Sequence, residues 1–326
     1  MGMVITAAGT ALPDTSAPTS APTSVVDLAS RAARGALARA RVSASSIGVL
    51  INVGVYREHN TFEPAMSALI QKEVGINLDY VADPEPAAGF SFDLMNGACG
   101  VLNAVQVGQA LLATGSTERL LITAADVHPG GDADRDTGYP YADLAGALLL
   151  ERSADPRAGF GPVRHYTADR PTDVEGYLDT DTMGRHGRTT ITVRREPGHA
   201  ERLSAFAASA AADYAQEIGI DLDRTLVIGP SPSASPSPSP SASPSPSASA
   251  SASPSPSASP PPSASASADG SGAGAAVRGE PHTAAPVLGY LQAMDAVRRD
   301  DHDQILFVSV GAGPSAACAL YRPEGW

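Results

Sequence analysis

The run FSFDLMNGACGVLNAVQVGQALL, residues 90–112, sets Cys99 among small residues between a strand-like and a helix-like segment. A cysteine attacks as its thiolate, and a helix N-terminus lowers the thiol pKa from about 8.5 by stabilising negative charge. Gly97 and Gly100 let the backbone turn tightly there and let a substrate come close. The segment alone supports two readings. Cys99 is a nucleophile, or it is a small core residue of one of the most often buried types. A nucleophile also needs a base within hydrogen-bond reach.

His282, in RGEPHTAAPVL, is the candidate base, because it too opens a long apolar helix. His128 and His59 each follow a strand and are lesser candidates for a cleft at a strand end. His165, His186, His199 and His302 read as surface or loop residues. Cys318, in SAACALYRP, reads as core packing within a strand. The turn GAGPS, 311–315, follows a buried strand, and its backbone N–H groups are candidates for half of an oxyanion hole.

These residues need elements to hold them. Residues 25–41 read as an Ala-, Leu- and Arg-rich helix, 47–55 as a buried strand and 63–75 as an amphipathic helix. Strands follow at 90–94, 118–127 and 144–152, with an apolar helix over 99–113. Near-continuous apolar strands alternating with helices predict α/β layers with covered sheets. An internal repeat sharpens this. Residues 28–54 resemble 203–230, 98–126 parallel 281–311, and 144–152 parallel 315–323. The chain therefore reads as two copies of one α/β unit, 1–155 and 156–326, with Cys99 and His282 at equivalent helix starts. Those two apolar helices are the expected central pair.

Residues 230–268 contain only Pro, Ser and Ala, so they have nothing bulky to bury and are expected to be a disordered insertion. The net charge of −13 opposes general nucleic-acid binding, which needs a basic footprint. One local exception is RHGRTTITVRR, 185–195, where Arg185, Arg188, Arg194 and Arg195 stand without an acid. It suits phosphates or an acidic partner, and equally a solvated hairpin. Two cysteines make no disulfide framework, and no Cys/His cluster suggests zinc or another metal. No apolar run reaches membrane-spanning length and no signal peptide is evident, so a soluble cytoplasmic protein with reduced thiols is expected.

At four segments the chain resembles the thiolase superfamily, in particular ketoacyl-acyl-carrier-protein synthase III and related acyltransferases. They are FDLMNGACGVLNAVQVGQALL, DADRDTGYPYADLAGALLLER, GEPHTAAPVLGYLQAM and ILFVSVGAGPSAACALYRP. The resemblance implies a thiolase-like five-layer αβαβα fold with two duplicated halves. It implies that Cys99 takes an acyl group from a coenzyme A or acyl-carrier-protein thioester. The oxyanion would be held by the backbone N–H groups of Cys99 and Ala312, with no tightly bound cofactor. A homodimer paired near FSFDL is implied, and the basic run becomes the candidate thioester-carrier contact. The chain also departs from the pattern. His282 stands where the family has Asn, and PSPSASP stands where its His-Gln-Ala-Asn motif should follow TLVIG. Loss of that decarboxylation pair disfavours carbon–carbon condensation and favours acyl transfer to oxygen or nitrogen. The alternative is a catalytically degenerate partner subunit of the same fold.

Overall fold

The computed structural model describes residues 2–14, 23–77, 89–131, 138–181, 183, 187–230, 279–296, 302–311 and 313–325. All belong to one structural unit, which takes in 1–232 and 278–326. Of the Pro/Ser/Ala tract, residues 231–268 lie outside the described set.

Two sheets carry the architecture. The first has the order β1-β5-β4-β2-β3, formed by β1 (Met3–Ala11), β2 (Val49–Asn52), β3 (Phe90–Asp93), β4 (Arg119–Asp126) and β5 (Leu144–Arg152). The central strands β2 and β4 run parallel, while β5 is antiparallel to both β4 and β1. The second sheet has the order β10-β11-β12-β6, from β6 (Gly159–Phe160), β10 (Thr225–Ile228), β11 (Gln304–Gly311) and β12 (Ser315–Arg322). Here β10 and β11 are parallel and β12 is antiparallel to β11. A further strand, β7 (Arg164–Thr167), also pairs with β12. The second sheet thus repeats the pairing of β2, β4 and β5. A separate ribbon pairs β8 (Val174–Tyr177) with β9 (Thr192–Arg195).

The helices make the remaining layers. On the outer face of the first sheet lie α1 (Val25–Ala40) and α2 (Met66–Val74). Ser24 caps α1 by accepting from the Asp27 N–H. Half of its buried residues are alanine (Ala29, Ala32, Ala33, Ala36), which lets the helix lie close on β1 and β5. The start of α2 has no cap of its own. Asp93 supplies one from β3, accepting from the N–H groups of Met66 at 2.9 Å and Ser67 at 3.0 Å. Between the sheets lie α3 (Gly100–Ala113) and α5 (Ala285–Ala296). The first packs on β4 and β12, the second on β1, β5, β10 and β11. Outside the second sheet lies α4 (His199–Ile218), against β11 and β12. The result is the five-layer αβαβα arrangement with repeated halves.

Some local expectations change. The 99–113 helix begins at Gly100, after a single 3-10 turn over Gly97–Cys99. His165 is a surface residue, as expected, carried on β7 with its ring nitrogen 3.0 Å from Gln106 Oε1. His199 opens α4 and pairs with Asp173 at 3.0 Å. His186 lies outside the described residues.

Two buried tyrosines tie the layers together. At the register shift between Ile5 and Ala7, the Ile5 N–H donates to Tyr321 Oη at 3.0 Å. Tyr214, on α4, accepts from the Leu320 N–H at 3.0 Å and donates to the Pro162 carbonyl at 2.9 Å. Removing either hydroxyl orphans a buried backbone group at a cost of roughly 1–3 kcal/mol. Tyr214→Phe and Tyr321→Phe are each expected to lower the unfolding free energy by that amount, seen as a lower urea midpoint with the m-value unchanged; unaltered midpoints would refute these roles.

Candidate active site

The two helix starts singled out by sequence meet. The turn carrying Cys99 packs against the turn His282–Ala284 that opens α5. Each is also backed by the far end of a strand: the Cys99 turn by β11 and the His282 turn by β4.

Asp126 is the last residue of β4 and is almost wholly buried. Its Oδ1 accepts from the N–H groups of Val55 and Tyr56, each at 2.9 Å. Its Oδ2 accepts from the Thr283 N–H at 3.1 Å, from Thr283 Oγ1 at 2.6 Å and from His282 Nδ1 at 2.9 Å. Burial alone would raise this carboxyl, but the charge and hydrogen bond of His282, with those of Thr283 and Tyr56, hold it at about 2 against an ordinary 3.8. A carboxylate only accepts, so His282 Nδ1 carries the proton and Nε2 is the basic nitrogen. Nε2 lies toward Gly97: a Cβ placed there would sit 3.5 Å from it. Gly97 also has φ +51°, a backbone conformation that disfavours any side chain at this position.

Cys99 is 1% exposed. Its Sγ lies 3.5 Å from the Ser309 carbonyl and 3.8 Å from that of Ser315, the strands either side of the glycine turn. Burial pushes its thiol up to about 11, and hydrogen bonds at Ser315, Ala317 and Gly311 only partly oppose this. The lowered thiol pKa expected at a helix start is therefore overridden by desolvation, and the resting group is the thiol. The Cys99 N–H, an expected oxyanion donor, closes the 3-10 turn on the Asn96 carbonyl at 3.1 Å. Its expected partner Ala312 lies outside the described residues, though Gly311 beside it borders the sulfur.

An aromatic wall surrounds His282. The Tyr141 ring lies 4.1 Å from the imidazole between centroids, and Tyr56 lies 5.4 Å away. Tyr139 stands edge-on to Tyr56 and to His128. Its buried hydroxyl has no hydrogen-bond partner among the described residues.

In sequence and fold the chain is similar to several known proteins. The family model for 3-oxoacyl-[acyl-carrier-protein] synthase III matches residues 92–168, which include Cys99. The beta-ketoacyl-[acyl-carrier-protein] synthase III of Alkalilimnicola ehrlichii is 33% identical over 168 residues, 48% of this chain and 48% of the relative. The matched stretch thus spans about half the length of that curated relative. The solved synthase III, FabH, of Pseudomonas aeruginosa PAO1 superimposes with a TM-score of 0.70 at 14% identity, covering 99% of this chain and 98% of that one. OleA of Xanthomonas campestris, solved with lauric acid and lauroyl-CoA, gives 0.62 at 13% identity, covering 99% of both chains.

The chain has a thiolase-like, synthase III-type fold.

On this synthase III-like scaffold the remaining candidates are distributed as follows. His128 is buried, and its Nδ1 accepts from the Gly130 N–H at 3.1 Å, so it serves the local turn beside Tyr139. His59 lies in the short 3-10 turn Glu58–Asn60, with φ +57°. Cys318 is fully buried on β12. Arg188 donates to the Asn60 carbonyl at 2.7 Å and stands over Phe62. Arg194 pairs with Glu175 at 2.5 Å, and Arg195 pairs with Glu280 through both Nη atoms, each at 2.6 Å. Arg185 lies outside the described residues. Among the described residues, no cluster of three or more His, Cys, Asp or Glu suits a metal, and no helix is long and apolar enough to cross a membrane.

The sequence reading missed Asp126 and the three tyrosines. One signal for Asp126 was present: a lone acid ends the otherwise apolar strand RLLITAAD.

Because folding depresses the Asp126 carboxyl, its stabilisation is complete above about pH 4 and is lost as pH falls toward 2. Asp126→Asn is expected to cost ~2–4 kcal/mol at neutral pH and to flatten the acid limb of the urea-midpoint profile. An unchanged acid limb would overturn this account of the site.

Proposed function

We propose that the chain is an acyl-thioester-dependent acyltransferase that carries the acyl group on Cys99, with His282 as general base. The observation that carries the reading is the Asp126–His282 hydrogen bond, which leaves Nε2 basic and directed toward the nucleophile's turn. It supplies what a protonated, buried thiol needs, a base oriented by a third group.

The steps balance as follows. His282 Nε2 takes the Cys99 proton, and the thiolate attacks the thioester carbonyl of acyl-CoA or acyl-carrier protein. The C–S bond to the carrier breaks, and the departing thiolate takes the proton from the imidazolium. An acceptor O–H or N–H then attacks the S-acyl cysteine while Nε2 takes its proton. The proton returns to the sulfur as Cys99 leaves. The Cys99 N–H serves the oxyanion once it releases Asn96, together with the backbone at Ala312. Acceptors with O–H or N–H are favoured over carbon because PSPSASP replaces the His-Gln-Ala-Asn motif and His282 replaces its Asn partner. Arg188 at the loop of His59 and Phe62 is the arginine best placed for carrier phosphates, since Arg194 and Arg195 hold internal acids.

Incubation with a panel of acyl-CoAs is expected to give an intact-mass adduct that Cys99→Ala abolishes. His282→Ala should slow its formation by about 10²–10⁴-fold, and His128→Ala far less. Absence of any adduct would favour the catalytically degenerate partner subunit, a reading the full burial of Cys99 supports. Release of CO₂ from malonyl-CoA would instead restore condensation.

The edge strand β3 supports a homodimer. Phe90 is 52% exposed and stacks on Phe92, leaving an apolar, unpaired strand edge. Light scattering is expected to show a dimer that Phe90→Lys weakens; a wild-type monomer would refute this pairing.

A further inference from the structure

His282 is held in an unfavourable backbone conformation, with φ +28°. An L residue stays there only when its surroundings over-determine it. On its C-terminal side the hold is Asp126, through Thr283 and the ring itself. A separate set of contacts acts on the N-terminal side. The Glu280 N–H donates to the Pro140 carbonyl and its own carbonyl accepts from the Ala142 N–H, each at 2.9 Å. The preceding Gly279 has φ +90°, and a Cβ there would fall 2.8 Å from the Ala142 nitrogen, so the two segments approach at backbone distance.

Arg195 closes this set from β9. Both its Nη atoms engage the Glu280 carboxylate at 2.6 Å, two residues before the histidine. Its guanidinium also lies 5.4 Å from the centroid of the Tyr141 ring, which packs against the imidazole at 4.1 Å between centroids and an interplanar angle of 31°. The same side chain thus reaches His282 by two routes, along the backbone through Glu280 and across the Tyr141 ring. The bidentate fork fixes orientation as well as distance, which a lysine at this position does not reproduce. Burial alone would lower the Arg195 pKa, but Glu280 outweighs it, so the guanidinium stays charged. The pair carries no net charge, so its influence on His282 is geometric.

We infer that Arg195 and Glu280 are positioning residues that lock the His282 turn, and through Tyr141 its ring, in the orientation that keeps Nδ1 on Asp126. The catalytic consequence rests on the acyltransferase reading; the conformational one does not.

Two readouts separate them. In wild-type protein labelled at histidine nitrogen, His282 is expected to give a downfield hydrogen-bonded Nδ1–H resonance, assigned by its absence in His282→Gln. In Arg195→Gln and Glu280→Gln that resonance should broaden or vanish, while Arg195→Glu combined with Glu280→Arg should recover it in part. With acyl-CoA, the same single variants should lower the maximal rate of Cys99 acylation roughly tenfold, leave the half-saturating concentration within about twofold, and be non-additive in combination. Arg195→Lys should recover less than the reversed pair. An intact Nδ1–H resonance in folded variants would overturn the clamp. A raised half-saturation at unchanged maximal rate would also overturn it, identifying Arg195 as a thioester contact. If wild-type Cys99 does not acylate, the acyltransferase reading alone fails and the resonance still decides the clamp.

Discussion

The carboxylate of Asp126 accepts five hydrogen bonds from two distant parts of the chain. A buried charge without such donors would cost more than the fold can offset, so its presence demands that both segments arrive. Val55 and Tyr56 come from the loop after β2, and His282 and Thr283 from the turn before α5. One side chain therefore fastens the first sheet to the helix start of the second repeat. It also fixes which imidazole nitrogen is basic.

The duplicated fold explains why the chemistry gathers here. β4 ends at the turn opening α5, and β11, its counterpart, ends at the turn opening α3. The two junctions are equivalent in topology but differ in side chains. One strand end carries an acid and meets a histidine. The other carries Gly311, which borders the Cys99 sulfur. Duplication supplies two helix starts side by side, and divergence gives one a cysteine and the other a histidine.

The environments of the two groups are complementary. Desolvation keeps the Cys99 thiol protonated, so the helix start alone cannot activate it. The same desolvation around Asp126 is outweighed by donors, so the acid stays ionised and orients its histidine. Tyr56, Tyr139 and Tyr141 exclude water from this side, and burial raises the pKa of all three phenols, so they act as neutral walls.

Much of this was legible in the sequence. Apolar runs and their periods define the strands and helices, because burial on one face or two is written directly in residue order. The internal repeat set out the layers and paired Cys99 with His282, because equivalent positions in a duplicated fold occupy equivalent places. The roles of Asp126, Tyr141, Arg195 and Glu280 were not legible. Asp126 and His282 are separated by 156 positions, and Arg195 and Glu280 by 85. Hydrogen-bond partners at such range follow no period. Nor does residue type foretell whether helix-start stabilisation or desolvation governs a thiol, since that depends on how completely Ser309, Gly311 and Ser315 close over it. The sequence by itself determined the layered, duplicated fold and the two helix starts. Only the tertiary structure decided which acid holds His282 and which arginine meets Glu280 beside it, because those contacts exist only once the two sheets have packed.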